Sequence, residues 1–277
     1  MLGGELGTCF DVSIIRDDNK YRMYFSWRPK ASIALTESDD GIHWSTPQVV
    51  LGPARTGWED DVNRPGVLKK DGIYHMWYTG QFDGRSEIGY ATSHDGIHWE
   101  RQEQSVLSAD QPWEKVAVMC PDVLWDDERK EYRMWYSGGE QYEPDAIGYA
   151  ASPNGIHWTK REEPVFSADI QSKWEQYKVT ACQVVHWQEW HYMFYIGFQD
   201  IDHAQIGIAR SRDGISDWQR LPQNPIISPT PDSFDADACY KPCAIFDGQK
   251  WLLWYNGRRE HVEQIGLATK IGTDLGF

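Results

Sequence analysis

The sequence predicts an all-β fold: a five-bladed β-propeller with four-stranded antiparallel blades around an axial funnel. Three observations lead there. A hairpin motif recurs along the chain, an aromatic run precedes each copy, and a short strand with an Ile-Gly start lies between run and hairpin in most units. Self-similarity at a fixed period is the signature of a repeat architecture, and units of about 50 residues with four short strands are propeller blades.

The aromatic runs are Tyr21–Phe25, Tyr74–Tyr78, Tyr132–Tyr136, Tyr192–Tyr195 and Trp251–Tyr255. Each reads as a strand, because large rings fill a pleated, half-buried surface. The second strands follow as Ser32–Thr36, Ile88–Ala91, Ile147–Ala150, Ile206–Ala209 and Ile265–Ala268. The hairpins come next: Ser38–Trp44, Ser93–Trp99 and Ser152–Trp158 share a Gly-Ile-His-Trp core, and Ser211–Trp218 is a looser copy. Asp-Gly or Asn-Gly supplies the positive φ of a tight turn, and the Trp is expected to pack between blades. The histidines at 43, 98 and 157 repeat with the hairpin, so they read as copied turn residues and not as a metal site. With Met23, Met76, Met134, Met193 and Leu253 as anchors, the spacings are 53, 58, 59 and 60 residues. Nothing has helical periodicity longer than a turn. The expectation is a single domain over 1–277, with blades at 9–55, 56–112, 113–172, 173–232 and 233–277. The outermost strand of the last blade comes either from the C-terminal tail or from residues 1–8.

Composition fits this arrangement. The chain has 277 residues with 15 Trp, 14 Tyr and 9 Phe, yet it is only 40% hydrophobic, with a mean hydropathy of −0.63. The apolar area therefore sits in a few large rings, each burying about 150–250 Å². No apolar run approaches the ~18 residues of a membrane span, and MLGGELGTCF has no basic region followed by an apolar one. A net charge of −15 with no Lys/Arg run argues against nucleic acid. Five cysteines without a CxxC pair suggest reduced thiols in the cytoplasm, with no cofactor and no metal. Cys9, Cys120 and Cys239 alternate with Val62 and Val179 at matching places, which reads as small apolar packing.

Counting back twelve residues from each anchor gives Asp11, Arg64, Asp122, Ala181 and Lys241. These positions open the innermost strands, so they are expected to converge on the funnel. Two carboxylates and two cations there are costly unless paired or functional. One reading is a salt-bridge ring plugging the axis. The other is a sugar-processing site, because cleaving a glycosidic bond needs an acid and a base or nucleophile.

Asp11-Val12-Ser13-Ile14-Ile15 resembles the D-P-S-V-I strand that opens blade one of glycoside hydrolase family 43. Asp122-Val123-Leu124-Trp125-Asp126-Asp127 resembles the Asp strand of blade three in that family, and the related fructosidase and mannoside-phosphorylase families share the architecture. The resemblance implies that Asp11 is the general base or nucleophile. It implies that Asp122 orients the substrate and tunes the acid. The family's acid is a blade-four Glu, but here Thr180 stands in its place, within Val179-Thr180-Ala181. Replacements on funnel-face loops are Glu140, the preferred candidate, and Glu260. Glu59, Glu114 and Glu175 each follow a Trp at a blade entry and read as packing.

The cations Arg64 (after Asn63) and Lys241 (after Tyr240) suit a carboxylate or phosphate, with Arg28, Arg258 and Arg259 adding positive potential. Trp27, Phe82, Tyr142 and Phe198 lie on neighbouring loops, where rings stack on sugar faces. The expectation is a glycoside hydrolase releasing a terminal sugar, anionic or furanosidic, with Arg64, Lys241, Asn63, Tyr240, Trp27 and Arg258 binding a carbohydrate substrate. Two alternatives stay open: a phosphorylase using Arg64 and Lys241 for phosphate, and a non-catalytic carbohydrate-binding propeller. Oligomeric state is not legible.

Overall fold

The computed structural model describes all residues except 56 and 143. The chain is built from strands, in groups that are consecutive in sequence. The first group is β1 (Cys9–Asp17), β2 (Lys20–Trp27), β3 (Ser32–Ser38) and β4 (Gln48–Leu51). The second is β5 (Asp61–Lys70), β6 (Ile73–Phe82), β7 (Arg85–Ser93) and β8 (Glu100–Arg101). The third is β9 (Ala117–Asp126), β10 (Glu131–Gly139), β11 (Pro144–Ser152) and β12 (Thr159–Lys160). The fourth is β13 (Lys178–Trp187), β14 (Trp190–Phe198), β15 (Ala204–Ser211) and β16 (Gln219–Arg220). β17 (Ala238–Phe246), β18 (Lys250–Arg259) and β19 (Val262–Ile271) end the chain.

Within each group neighbouring strands pair antiparallel in chain order. The second and third groups form one continuous sheet, because Ser86 of β7 meets Ala117 of β9 in a parallel pairing. The last group has three strands rather than the expected four, and Leu2 adds an antiparallel bridge to Ile265 of β19. The N-terminal segment thus lies where an outer strand lies elsewhere: Ile88, Ile147 and Ile206 make the same bridge to Leu107, Phe166 and Ile227. The first strands neighbour one another in the order β1, β5, β9, β13, β17, and β17 returns to β1. No helix among the described residues is long and apolar enough to cross a membrane.

The cores lie between groups, and the rings build them. Trp77, Trp135 and Trp254 are fully buried, and each indole donates to the carbonyl of a hairpin glycine: Gly155, Gly214 and Gly41. Gly155 has φ 76°, and a Cβ there would sit 2.8 Å from the Trp77 ring, so both backbone and space require glycine. Asp40 Oδ1 accepts from the backbone N–H of Ile42 and His43, which locks the turn; Asp95 and Asn154 repeat the pattern. The hairpin histidines are therefore turn residues bonded to their own Asp or Asn.

Near its start, each of β1, β5, β13 and β17 carries a register shift, at Phe10/Ser13, Asn63/Gly66, Thr180/Gln183 and Tyr240/Cys243. Inside these bulges Asp11, Arg64, Ala181 and Lys241 have positive φ (49°, 53°, 45° and 30°), and in β9 the matching residue is Cys120 at 54°. A bulge of this kind re-aims a side chain at a local conformational cost. The freed backbone N–H is caught by the preceding group: Asp11 by Asn256, Arg64 by Ser26, Cys120 by Thr79 and Ala181 by Ser137. These acceptors each lie three residues past an anchor.

Cys120 corrects the sequence register, which put Asp122 there. The β9–β10 hairpin pairs Asp126 with Glu131, leaving four residues in the turn, whereas β1–β2 pairs Asp17 with Lys20 and leaves two. Those two extra residues carry Asp122 past the bulge.

Candidate functional site

The bulged strand starts open onto a pocket of about 800 Å³. Of the site residues expected from sequence, Asp11, Asn63, Arg64, Tyr240 and Arg258 line it, and Asp122, Glu140, Lys241 and Trp27 do not. Thr180, Cys120 and Ala181 form its floor with Met119, Ile196 and Phe198.

Asp11 and Arg64 form an ion pair, Nε to Oδ2 at 3.0 Å, in which both side chains are largely buried. Arg64 is held further by Asn63, whose Oδ1 accepts from Nη1 at 2.7 Å, and Asn63 Nδ2 donates to Asp61 and Gln81. Arg28 and Arg64 both lie against the Phe10 ring, at 4.5 and 5.7 Å from its centroid. Arg258 lies 5.6 Å from the Tyr240 ring, and its Nη2 donates to the Asp202 carbonyl.

Sequence reasoning missed Glu263. It lies on β19, lines the pocket, and has its Oε1 3.5 Å from Arg28. Burial pushes its carboxyl up to about 7, helped by the negative charge of Asp11, while Arg28, a hydrogen bond from Asn256 and Arg64 pull it down. The fully buried Asn256 ties the two acids together: its Oδ1 accepts from the Asp11 backbone N–H at 3.2 Å and its Nδ2 donates to Glu263. Strand parity carries the missed signal, since Glu263 shares a side of β19 with the buried Ile265.

The other carboxyls lie elsewhere. Glu140 is 57% exposed, paired with Lys115 at 3.1 Å and outside the pocket lining, although its loop neighbours Gln141 and Tyr142 lie within it. Glu260 is exposed at the β18–β19 turn. Glu59 and Glu114 are buried, accept from Tyr78 and Tyr136, and pair with Arg101 and Lys160. Glu175 is buried too and pairs with Arg220, so the Trp-Glu repeat is packing.

Asp122 and Lys241 lie beside the pocket floor, within the first-strand layer. Asp122 Oδ2 accepts from Val184 N–H at 2.8 Å, and Lys241 Nζ donates to the Cys182 carbonyl at 2.6 Å. Burial raises the Asp122 carboxyl to about 6, against the pull of Lys241 and the Val184 N–H. For Lys241 burial works against the charge, but Asp122 and its other neighbours outweigh it and hold the pKa above the ordinary value. Trp27 Nε1 donates to the Leu6 carbonyl, which fixes that ring to the N-terminal segment. All five cysteines are free and buried, and burial raises the Cys120 thiol to about 11, so none is a thiolate at neutral pH. Among the described residues no group of His, Cys, Asp and Glu is arranged to hold a metal ion.

The fold is that of a propeller-like, all-β glycoside hydrolase scaffold. A thermostable family-43 glycoside hydrolase superimposes on the whole chain (100% of it, 96% of that structure) with a TM-score of 0.78 at 14% identity. A glycosyl hydrolase from Bacteroides ovatus gives 0.76 over 97% of this protein and 84% of that one, at 16% identity. The chain belongs to the family of glycosyl hydrolases family 32 N-terminal domains, which it matches over residues 13–206. Among its relatives, an uncharacterized protein of Mycobacterium tuberculosis is 27% identical over 273 residues, 90% of this chain and 87% of that protein. A 1,2-beta-oligomannan phosphorylase of Thermoanaerobacter is 28% identical over 128 residues, 42% of this chain and 43% of the enzyme.

Proposed function

We propose that this protein cleaves a glycosidic bond at a terminal sugar held in the pocket, with Glu263 as proton donor and Asp11 as base or nucleophile. One observation carries the reading: a carboxyl held near pKa 7 by burial and by Asp11 shares a pocket with that second carboxylate. At neutral pH about half of the Glu263 carboxyls carry a proton for the departing oxygen, while Asp11 either takes a proton from water or attacks the anomeric carbon. Two carboxyl groups in differing environments divide acid and base work in this way. The proposal replaces Glu140 with Glu263 as the acid and assigns Asp122 no contact with substrate. It also takes the five strand groups as blades of one ring, a reading supported by the cyclic neighbourhood of the first strands and by the chain of bulge hydrogen bonds.

The test is turnover of a panel of nitrophenyl furanosides and pyranosides. Asp11→Asn and Glu263→Gln are each expected to lower kcat/KM by about 10²–10⁴-fold. The Glu263→Gln deficit should shrink with a dinitrophenyl leaving group, which departs without a proton. Unchanged turnover in both variants would sink the assignment.

A second reading has phosphate as the attacking group, supported by the phosphorylase relative and by the arginines Arg28, Arg64 and Arg258 in the lining. Lys241, the partner expected from sequence, is spent on the Cys182 carbonyl. Phosphate-dependent release of a sugar phosphate would select this reading; release that ignores phosphate would discard it.

A further inference from the structure

Three strand groups share one pattern at their fourth strand. Trp99-Glu100-Arg101, Trp158-Thr159-Lys160 and Trp218-Gln219-Arg220 lead into or form β8, β12 and β16. Each Trp packs at the boundary with the preceding group: Trp99 lies 5.9 Å from the Tyr24 ring, Trp158 6.0 Å from Trp77 and Trp218 6.1 Å from Phe166. Each cation, two residues on and so on the same side of the strand, meets a buried acid at the entry of its own group. The pairs are Arg101 with Glu59, Lys160 with Glu114 and Arg220 with Glu175. The same cations also donate to backbone carbonyls of the preceding segment, at Gly52, Ser108 and Ser167.

The fifth group has the acid without the ring or the cation. Phe234-Asp235 stands where the other groups have Trp-Glu. Asp235 is buried, and its Oδ2 accepts from the Tyr255 hydroxyl at 2.8 Å, as Glu59 and Glu114 accept from Tyr78 and Tyr136. Among the described residues Asp235 has no ion pair, and its Oδ1 has no hydrogen-bond partner. A buried carboxyl oxygen without a partner is costly, and few occur in folded proteins. Trp99 and Trp158 come eight residues after Ala91 and Ala150; eight residues after Ala268 comes Gly276. A cavity of about 560 Å³ opens there, between the fourth and fifth groups, lined by Phe194, Ile208, Leu253, Ala268 and Gly276. It falls within the ~300–1,000 Å³ of ligand sites. Between the second and third groups the matching residues Trp77, Tyr90, Met134 and Ala150 form the core against which Trp158 packs.

The backbone at this place is open as well. Ala91–Thr92, Ala150–Ala151 and Ala209–Arg210 pair with their fourth strands, and the carbonyls of Tyr90, Tyr149 and Ile208 accept from Gln102, Arg161 and Leu221. The matching stretch of β19 is Leu267–Thr269. Among the described residues the outer edge of β19 is bridged only by Leu2, at Ile265. An unpaired edge is a template for a further strand, and side-chain pockets in register with it give such pairing its specificity.

We propose that the outer edge of β19 and the cavity beside it form a docking site for an extended peptide segment of another protein, carrying Trp-x-Arg or Trp-x-Lys. The segment adds antiparallel to Leu267–Thr269, its indole enters the cavity over Phe194 and Leu253, and its cation meets Asp235. Edge, cavity and unbonded acid then take the three partners that the chain's own fourth strands supply elsewhere. The net charge of −15 attracts such a basic segment. None of these residues lines the pocket of Asp11 and Glu263, so docking is independent of the cleavage reading.

The experiment titrates the full-length protein into a fluorescein-labelled synthetic peptide with the sequence of residues 215–222, Ile-Ser-Asp-Trp-Gln-Arg-Leu-Pro, and reads anisotropy. Saturable binding is expected, tighter than that of a scrambled peptide. Replacing the peptide's Trp by Ala, or its Arg by Gln, should each weaken binding about tenfold. With Asp235→Asn protein the Arg and Gln peptides should bind alike, while dependence on Trp persists; a cooperative urea transition verifies that the variant folds, and the peptide series on the native protein decides the matter if it does not. Hydrogen–deuterium exchange should slow in residues 262–271 when the peptide is added. Affinity equal to that of the scrambled peptide, indifference to the Trp and Arg replacements, or protection confined to other segments overturns the proposal. A native chain that sediments as a dimer and already protects 262–271 overturns it too, by giving the edge to a second copy.

Discussion

At the residue scale, the pocket's chemistry turns on Glu263. Its carboxyl is held at about 7 first by burial and then by Asp11, with Arg28 opposing. A proton donor works only while protonated, so activity should fall as pH rises through about 7. Arg28→Ala removes a positive charge that favours the carboxylate, so the alkaline limb of the kcat/KM profile should move to higher pH. A limb that stays in place would show that another group titrates there. Asp11 and Arg64 were legible in the sequence because β1 and β5 run from bulge to anchor without insertion. Glu263 was not, because its importance lies in enclosure by Asn256 of the neighbouring strand and by Arg28 and Asp11 from the far end of the chain. Thr180 was legible as a departure: it lines the pocket floor, buried, with no hydrogen-bond partner for its hydroxyl among the described residues.

At the element scale, the first strands pack closely enough for glycine to be required. A Cβ on Gly66 of β5 would run into the Pro121 carbonyl of β9, which is backbone and cannot swing aside. Gly66→Ala should therefore cost about 2–3 kcal/mol, read as a lower midpoint in urea unfolding. The bulge ring makes a second claim at this scale. Ser137→Ala strands the buried Ala181 N–H, which should cost about 1–3 kcal/mol. Ser137→Thr keeps the hydroxyl and should recover part of that loss. Hairpin turns and aromatic strands were readable from residue type, since their geometry is local. The register of β9 was not, because only its pairing with β10 reveals the longer turn.

At the scale of the whole molecule, a net charge of −15 coexists with a lysine buried beside the pocket floor. Lys241 and Asp122 come from β17 and β9, and each lowers the cost of the other's charge. Lys241→Met leaves Asp122 without that cation, so its carboxyl should rise above about 6. At pH 8 the folded protein must then hold an unpaired carboxylate or bind a proton to neutralise it, and the loss relative to pH 5 should reach at most about 2–3 kcal/mol. At pH 5 the carboxyl takes up a proton and most of the loss should disappear. Urea unfolding at the two pH values checks this, and an equal loss at both would refute the coupling.

The sequence by itself determined the repeat, the turns and the placement of aromatic rings between units, because each follows from local conformational preference and from the need to bury large apolar surfaces. It also singled out Asp11, Asn63, Arg64, Tyr240 and Arg258, which line the pocket. Only the tertiary structure decided which carboxyl joins Asp11 and that Lys241 and Asp122 leave the pocket for the layer beside it. Those outcomes depend on desolvation and on charges brought together from opposite ends of the chain. Neither is a property of any short segment.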